Sequence, residues 1–168
     1  AGPQGYPMKE FSSIVITGAS SGIGEALALD YARPGAALAL TGRDAGRLEA
    51  VAQACRAKGA TVVADTVDVV DRDRFAAWLT AFDDSHPVDL IVANAGVSID
   101  KDNSSLDDFA RVRKTFDVNV DGVFNTVEPL VARLMARRRG QIAIVSSLAS
   151  FIGLPYSASY NASKAAVR

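Results

Sequence analysis

The sequence predicts an α/β fold built on a doubly wound parallel sheet. Three observations carry this. Short apolar runs recur at 14–17, 37–41, 61–64, 90–93 and 142–146. Amphipathic helical patterns separate them, each long enough to carry a crossover. A glycine-rich turn joins the first run to the first helical pattern. Apolar strands alternating with helices pack as a parallel sheet covered on both faces. Right-handed crossovers then favour the order 3-2-1-4-5, with ligand at the carboxyl ends of the strands, where the order reverses.

The first run, Ile14-Val15-Ile16, leads into Thr17-Gly18-Ala19-Ser20-Ser21-Gly22-Ile23-Gly24. A helical pattern follows through Ile23, Ala26, Leu27 and Tyr31 and stops at Pro34-Gly35. Strand, glycine turn and helix in this order suit a dinucleotide. Glycines allow a tight turn and close approach to a pyrophosphate, and the free N–H groups of the helix N-terminus face the anion. An ordinary Gly-rich connection is the competing reading. The second run ends Leu40-Thr41-Gly42-Arg43-Asp44. A carboxylate there would accept the ribose hydroxyls of NAD and repel a 2′-phosphate. Instead position 42 has no side chain, and Arg43 offers a planar cation suited to phosphate. Asp44 could pair with Arg43 or cap the next helix, whose apolar stripe begins at Leu48 and Val51.

Asp68-Val69 closes the third strand region, and Asp71 is the better-placed cap for the helix after it. His86-Pro87 ends that helix, and the single His reads as a surface loop residue. Asn94-Ala95-Gly96 ends the fourth run. Small residues there let a backbone approach a cofactor, and Asn94 can bond the neighbouring strand. Arg137-Arg138-Arg139 is the only basic run. It precedes Gly140 at a helix end, where cations suit the dipole and Gly suits the cap.

The tail carries a proton-transfer pattern. Tyr160 and Lys164 are four apart and share one helix face. Ser147 lies thirteen residues before Tyr160, just past the fifth run. A hydroxyl can hold an oxygen, a phenol can move a proton, and a neighbouring ammonium favours the phenolate. Alone, Tyr-x-x-x-Lys is usually a surface pair. The glycine turn at the other end of the chain changes that reading.

Together these motifs resemble the classical short-chain dehydrogenase/reductase family. Its Thr-Gly-x-x-x-Gly-x-Gly motif is matched by Thr17, Gly18, Gly22 and Gly24. Its Asn-Ala-Gly is matched by Asn94-Ala95-Gly96, and its Asn-x-x-Gly by Asn119-Val120-Asp121-Gly122. Its catalytic Ser, Tyr and Lys match Ser147, Tyr160 and Lys164. The resemblance implies a Rossmann-type domain over residues 8–168, with two further strands and a substrate-covering loop missing from this chain. It implies catalysis by Asn119, Ser147, Tyr160 and Lys164, with Asn119 holding a water that links Lys164 to solvent. A helix-interrupting cap is the other reading of Asn119. Cofactor contacts are implied at Gly18, Ser20, Ser21, Gly22, Ile23, Gly24, Arg43, Asp68, Val69, Asn94, Ala95, Gly96, Tyr160 and Lys164. NADP is the expected cofactor and NAD the alternative, since Ser21 stands where some NADP users carry a basic residue. Ala93 and Ser150 depart from the family's usual Asn and Gly.

The implied activity is hydride transfer between the cofactor and a carbonyl or secondary alcohol. Leu148, Phe151, Ile152, Leu154 and Tyr156 make the wall between Ser147 and Tyr160 apolar, which favours an apolar substrate. A cofactor-binding or regulatory module without turnover is the alternative from another class.

Composition narrows the field. The 168 residues are 49% hydrophobic with a formal net charge of -1, which argues for a single packed domain and against a nucleic-acid or anionic-membrane partner. Cys55 is the only cysteine, so no intrachain disulfide forms; its neighbours suggest a packed thiol. One His and one Cys give no metal-ligand cluster. No apolar stretch reads as a membrane span or secretory signal, so the default location is cytoplasmic. Residues 1–7 read as an appended remnant ahead of Met8. Apolar residues lie on more than one face of the helices near Asn119 and Lys164, which predicts a homodimer or homotetramer.

Overall fold

Apolar strand runs and helical stripes alternate in the computed structural model as they do in the sequence; it describes residues 11–98 and 109–168. The expected remnant at 1–7 lies outside these. Strand β1 (Ser13–Thr17) is followed by α1 (Gly22–Tyr31), β2 (Ala37–Thr41), α2 (Ala45–Ala57), β3 (Thr61–Asp65), α3 (Arg72–Ser85) and β4 (Leu90–Ala93). Helix α4 (Phe109–Phe116) runs through a π-helical turn at Asp117–Asp121 into α5 (Gly122–Arg137). Then come β5 (Gln141–Ile144), a 3-10 turn at Leu148–Ser150 and α6 (Ala158–Ala166).

The strands form one parallel sheet in the order β3-β2-β1-β4-β5, as expected. Alternation along β1 splits the core. Ile14 and Ile16 pack with Leu38, Leu40, Leu48 and Cys55 on the α1–α2 side. Val15 packs with Ala39, Phe75, Leu79, Ile91 and Leu130 on the α3–α5 side. Each fully buried Leu, Ile or Phe is worth about 1.5–3 kcal/mol against exposure. Cys55 is buried, as expected, and burial pushes its thiol up from the ordinary value.

Asp44 and Asp71 cap α2 and α3, each accepting from a backbone N–H three residues on. Other expectations need correction. Strand β5 covers Gln141–Ile144, ending before the expected 146, although Val145 N still donates to the Ala93 carbonyl at 3.0 Å; beyond it the Ser146 hydroxyl donates to the Lys164 carbonyl at 2.8 Å. His86 is half-buried, its ring stacked on Phe82 at 5.1 Å. The left-handed cap of α5 is Arg138 (φ 51°), not Gly140. Asn119 caps nothing: the helix continues through it with one wide turn.

The basic run has a structural task beyond the helix dipole. Arg137 grips the buried Asp83 carboxylate through both terminal nitrogens at 2.7 and 2.9 Å, and Arg133 adds a contact at 3.0 Å. Arg139 reaches the buried Asp89, which also accepts from Ser12 and Ser13 N–H groups. These pairs fasten α5 to α3 and to the amino ends of the strands. The carboxyl ends are left for the site. No described helix is long and apolar enough to cross a membrane.

Candidate active site

The order reversal between β1 and β4 opens a crevice at the strands' carboxyl ends. It is a cleft of about 620 Å³ lined by Gly18, Ser20, Ser21, Ile23, Arg43, Asp68, Val69, Asn94, Ala95 and Gly96 among others. Every expected cofactor residue lines it except four. Gly22 and Gly24 belong to the glycine turn whose neighbours line it, Lys164 reaches the lining residue Gly96, and Tyr160 is not among the lining residues. Gly22 holds φ at +59°, a left-handed conformation that side chains resist. Gly24 is needed for space: a Cβ there would overlap the Gly18 carbonyl.

Asn94 closes the crevice floor. Its Nδ2 donates to the Thr17 carbonyl at 2.9 Å, while Asn94 N and Ala95 N both donate to Thr17 Oγ1 at 3.0 and 2.9 Å. The ends of β1 and β4 are thus locked together. Ser21 precedes α1 without a side-chain cap hydrogen bond, so the first-turn N–H groups are not claimed by that hydroxyl. An open helix N-terminus beside a glycine cradle fits a pyrophosphate.

The inner end converges on Gly96. A Cβ on Gly96 would stand 3.2 Å from Lys164 Nζ and 3.3 Å from Asn119 Oδ1. Lys164 is 4% exposed, and burial pushes its ammonium down from the ordinary lysine value. It donates to the Val145 carbonyl at 2.8 Å and lies 6.0 Å from the Tyr160 ring centroid. Asn119 is fully buried. Its Oδ1 accepts from Val97 N at 2.7 Å, and its Nδ2 donates to Val97 O at 2.9 Å and Ser163 Oγ at 3.0 Å. Ser147 is half-buried and accepts from Ala149 N at 3.2 Å, which leaves its own O–H able to donate. The turn that Ser147 opens packs against α6, which carries Tyr160 and Lys164. Ser150 is buried with a hydroxyl that has no hydrogen-bond partner among the described residues.

Several site residues escaped the sequence reading. Thr17 was read only as a motif letter, yet its hydroxyl takes two N–H groups. Thr41, Arg47, Val67, Val97 and Val118 line the cleft. Ser163 carries the Asn119 bond to the Tyr160 carbonyl at 2.8 Å. Only Arg47 and Ser163 had a local signal, one helical turn past Arg43 and adjacent to Lys164. Asp44 pairs with Arg47 at 2.9 Å, not with Arg43. No cluster of metal-ligating side chains occurs among the described residues.

Comparison with known proteins follows the same lines. An uncharacterized oxidoreductase of Myxococcus xanthus is 38% identical over 156 residues, covering 92% of this chain and 61% of the relative. A metagenomic short-chain oxidoreductase solved with NADP superposes with a TM-score of 0.86 at 31% identity, over 93% of this chain and 71% of that one. NAD+-bound xylitol dehydrogenase superposes with a TM-score of 0.83 at 26% identity, over 93% and 60%. The chain therefore spans about three fifths of the Myxococcus relative's length. The short chain dehydrogenase family model matches residues 12–168, and the chain belongs to that family.

Proposed function

We propose that this chain carries the cofactor site and the proton-transfer residues of an NADP-preferring oxidoreductase acting on a carbonyl or secondary alcohol. The observation that carries the reading is the convergence at Gly96, where Lys164 and Asn119 meet the inner end of the nucleotide cleft. The nicotinamide, when bound, supplies the hydride chemistry. The glycine turn and the α1 N-terminus would hold its pyrophosphate, Asp68 and Val69 its adenine, and Lys164 its ribose.

Tyr160 donates a proton to the substrate oxygen in reduction and accepts one in oxidation. Ser147 donates its O–H to the same oxygen and steadies the charge that develops there. Lys164, withdrawn from water, holds its ammonium 6.0 Å from the Tyr160 ring centroid, so its positive charge faces the proton-transfer group. Both N–H groups of the Asn119 amide are already used. Its side chain therefore holds the Val97 backbone against α6. A water linking it to Lys164 would use the second lone pair of Oδ1 or a carbonyl loosened by the π turn.

Arg43 supports NADP. It lines the cleft, is exposed, and has no ion pair among the described residues. NAD remains the alternative because the Asp44 carboxylate lines the same cleft. Exposed Leu148, Phe151, Ile152, Leu154 and Tyr156 support an apolar carbonyl substrate. Exposed Phe124 and Met135 on α5, with Ala162 and Ala165 exposed on α6, support a homodimer or homotetramer through these helices. Sedimentation showing a monomer at micromolar concentration would remove that part. A cytoplasmic location belongs to the same reading.

The deciding experiment gives the full-length protein NADPH and a panel of apolar ketones. Turnover is expected, and Tyr160→Phe should lower it by about a hundredfold or more. An unchanged rate in that variant would sink the assignment. The competing reading is a cofactor-binding module, favoured by the openness of the wall beside Ser147. Cofactor binding with no turnover across the panel would decide for it.

A further inference from the structure

The cation nearest Arg43 along the cleft is not spare surface charge. Arg47 lines the same crevice one helical turn later, with Ser20, Gly42, Arg43 and Asp44. Gly42 is walled off: a Cβ there would stand 2.8 Å from both Cβ and Oγ of Ser20. The group bound at this corner therefore meets the Ser20 hydroxyl and the charges at 43, 44 and 47. Asp44 is already occupied on both oxygens. Its Oδ1 accepts from Arg47 N at 3.0 Å, and its Oδ2 accepts from Arg47 Nε at 2.9 Å. The pairing uses only Nε, which leaves the two terminal amino groups of Arg47 for another anion.

We propose that Arg47 is a second ligand of the cofactor's 2′-phosphate, with Asp44 as the exchangeable counter-ion that the phosphate displaces. The inference rests on the NADP reading above. The exchange is favourable on general grounds. The Asp44–Arg47 side chains are 43% and 65% exposed, so water screens their attraction and the pair is weak. A phosphate dianion offers more charge and three acceptor oxygens, and a guanidinium meets it through two parallel N–H bonds. The helix cap survives the exchange, since Asp44 Oδ1 keeps its bond to the Arg47 backbone. Two guanidiniums would then face one phosphate, with Asp44 Oδ2 released to solvent while Oδ1 stays on the cap.

Calorimetry on the full-length protein with adenosine 2′,5′-bisphosphate and with 5′-AMP tests this without turnover, because the two probes differ by the 2′-phosphate. Arg47→Gln should weaken the bisphosphate by about fivefold and leave 5′-AMP unchanged. Asp44→Asn, which keeps a capping acceptor, should strengthen the bisphosphate by about threefold. Equal losses for both probes in Arg47→Gln, or no loss for either, would overturn the role of Arg47. Weaker bisphosphate binding in Asp44→Asn would overturn displacement. Arg43→Gln separates the two claims. A wild-type protein that does not prefer the bisphosphate refutes the NADP reading itself. A preference lost with Arg43→Gln but kept with Arg47→Gln refutes only the second ligand.

Discussion

The middle of the sheet and its β5 edge are built differently. Around β1, β2 and β4 every strand residue is buried, and the crevice above them is closed by Asn94, Thr17 and the glycine turn. Around β5 the strand is largely exposed, with Ile142 and Ile144 39% and 42% open, and the turn beyond it presents Phe151 and Tyr156 at 70% and 71%. The proposed nucleotide contacts belong to the first region, and Ser147 and Tyr160 to the second. Lys164 and Asn119 bridge them at Gly96. The difference teaches that the residues proposed for binding and those proposed for proton transfer rest on separate structural supports, so a mutation should be able to remove one role and spare the other.

The sharpest way to break that separation is Lys164→Met. The aliphatic stem still fills the buried site, but the ammonium is lost. Turnover should fall by about a hundredfold or more, while 5′-AMP binding stays within twofold. Loss of 5′-AMP binding in a folded variant would mean that the two regions are one unit.

The next largest effect is on stability. Asp83 carries no exposed side-chain surface and pairs with Arg137 and Arg133. Burial alone would push its carboxyl up. Hydrogen bonds from Arg137, Val88 N–H and Arg133 outweigh this and hold it below the ordinary carboxylate range. Asp83→Asn leaves Arg137 without its counter-ion, while Arg133 keeps Asp84, and should cost about 3 kcal/mol in denaturant unfolding. A depressed folded pKa gives a group whose stabilisation is present above the unfolded value, near 3.8, and is lost as pH falls through the folded one. Wild type should therefore lose stability on acidification below about pH 4, more steeply than the variant. Parallel acid profiles would show that another group governs that limb.

Much of this was legible in the sequence because it is local. Strand runs, helix stripes and the caps at Asp44 and Asp71 depend on neighbours within one or two turns. The strand order followed from crossover handedness, and it put the Gly18–Gly24 turn and Asn94-Ala95-Gly96 at the strands' carboxyl ends. What stayed hidden depends on partners far along the chain. Asn119 bonds Val97, 22 residues away, and Ser163, 44 away, and no periodicity announces either. His86 is a different case: its stacking partner Phe82 is local, one helical turn back, and the loop setting of His86-Pro87 masked it. Arg138 takes the left-handed cap that Gly140 seemed made for, and composition carries no sign of it.

Gly24→Ala sharpens the binding half of the comparison. The new methyl meets the Gly18 carbonyl and would lie 2.7 Å from Asn94 Nδ2, the group that closes the crevice. Relief requires the glycine turn or Asn94 to move, at about 1–3 kcal/mol. 5′-AMP should bind roughly tenfold or more weakly, since 1.4 kcal/mol is one decade. Tight binding with a normal melting temperature would show that the turn has slack.

The smallest expected effect tests whether burial, rather than the presence of an ion pair, decides what fastens α3 to α5. Arg72 and Glu128 join the two helices at 3.1 Å, a contact comparable in length with those at Asp83. Their side chains are 66% and 61% exposed, so water already solvates both charges and neither is stranded when its partner goes. Arg72→Ala should change stability by about 0.5 kcal/mol or less. It should also leave the acid limb in place, because Asp83 keeps both of its arginines. A cost near that of Asp83→Asn would mean that α3 and α5 are held by charge at any depth, and that the buried pair owes nothing to its enclosure.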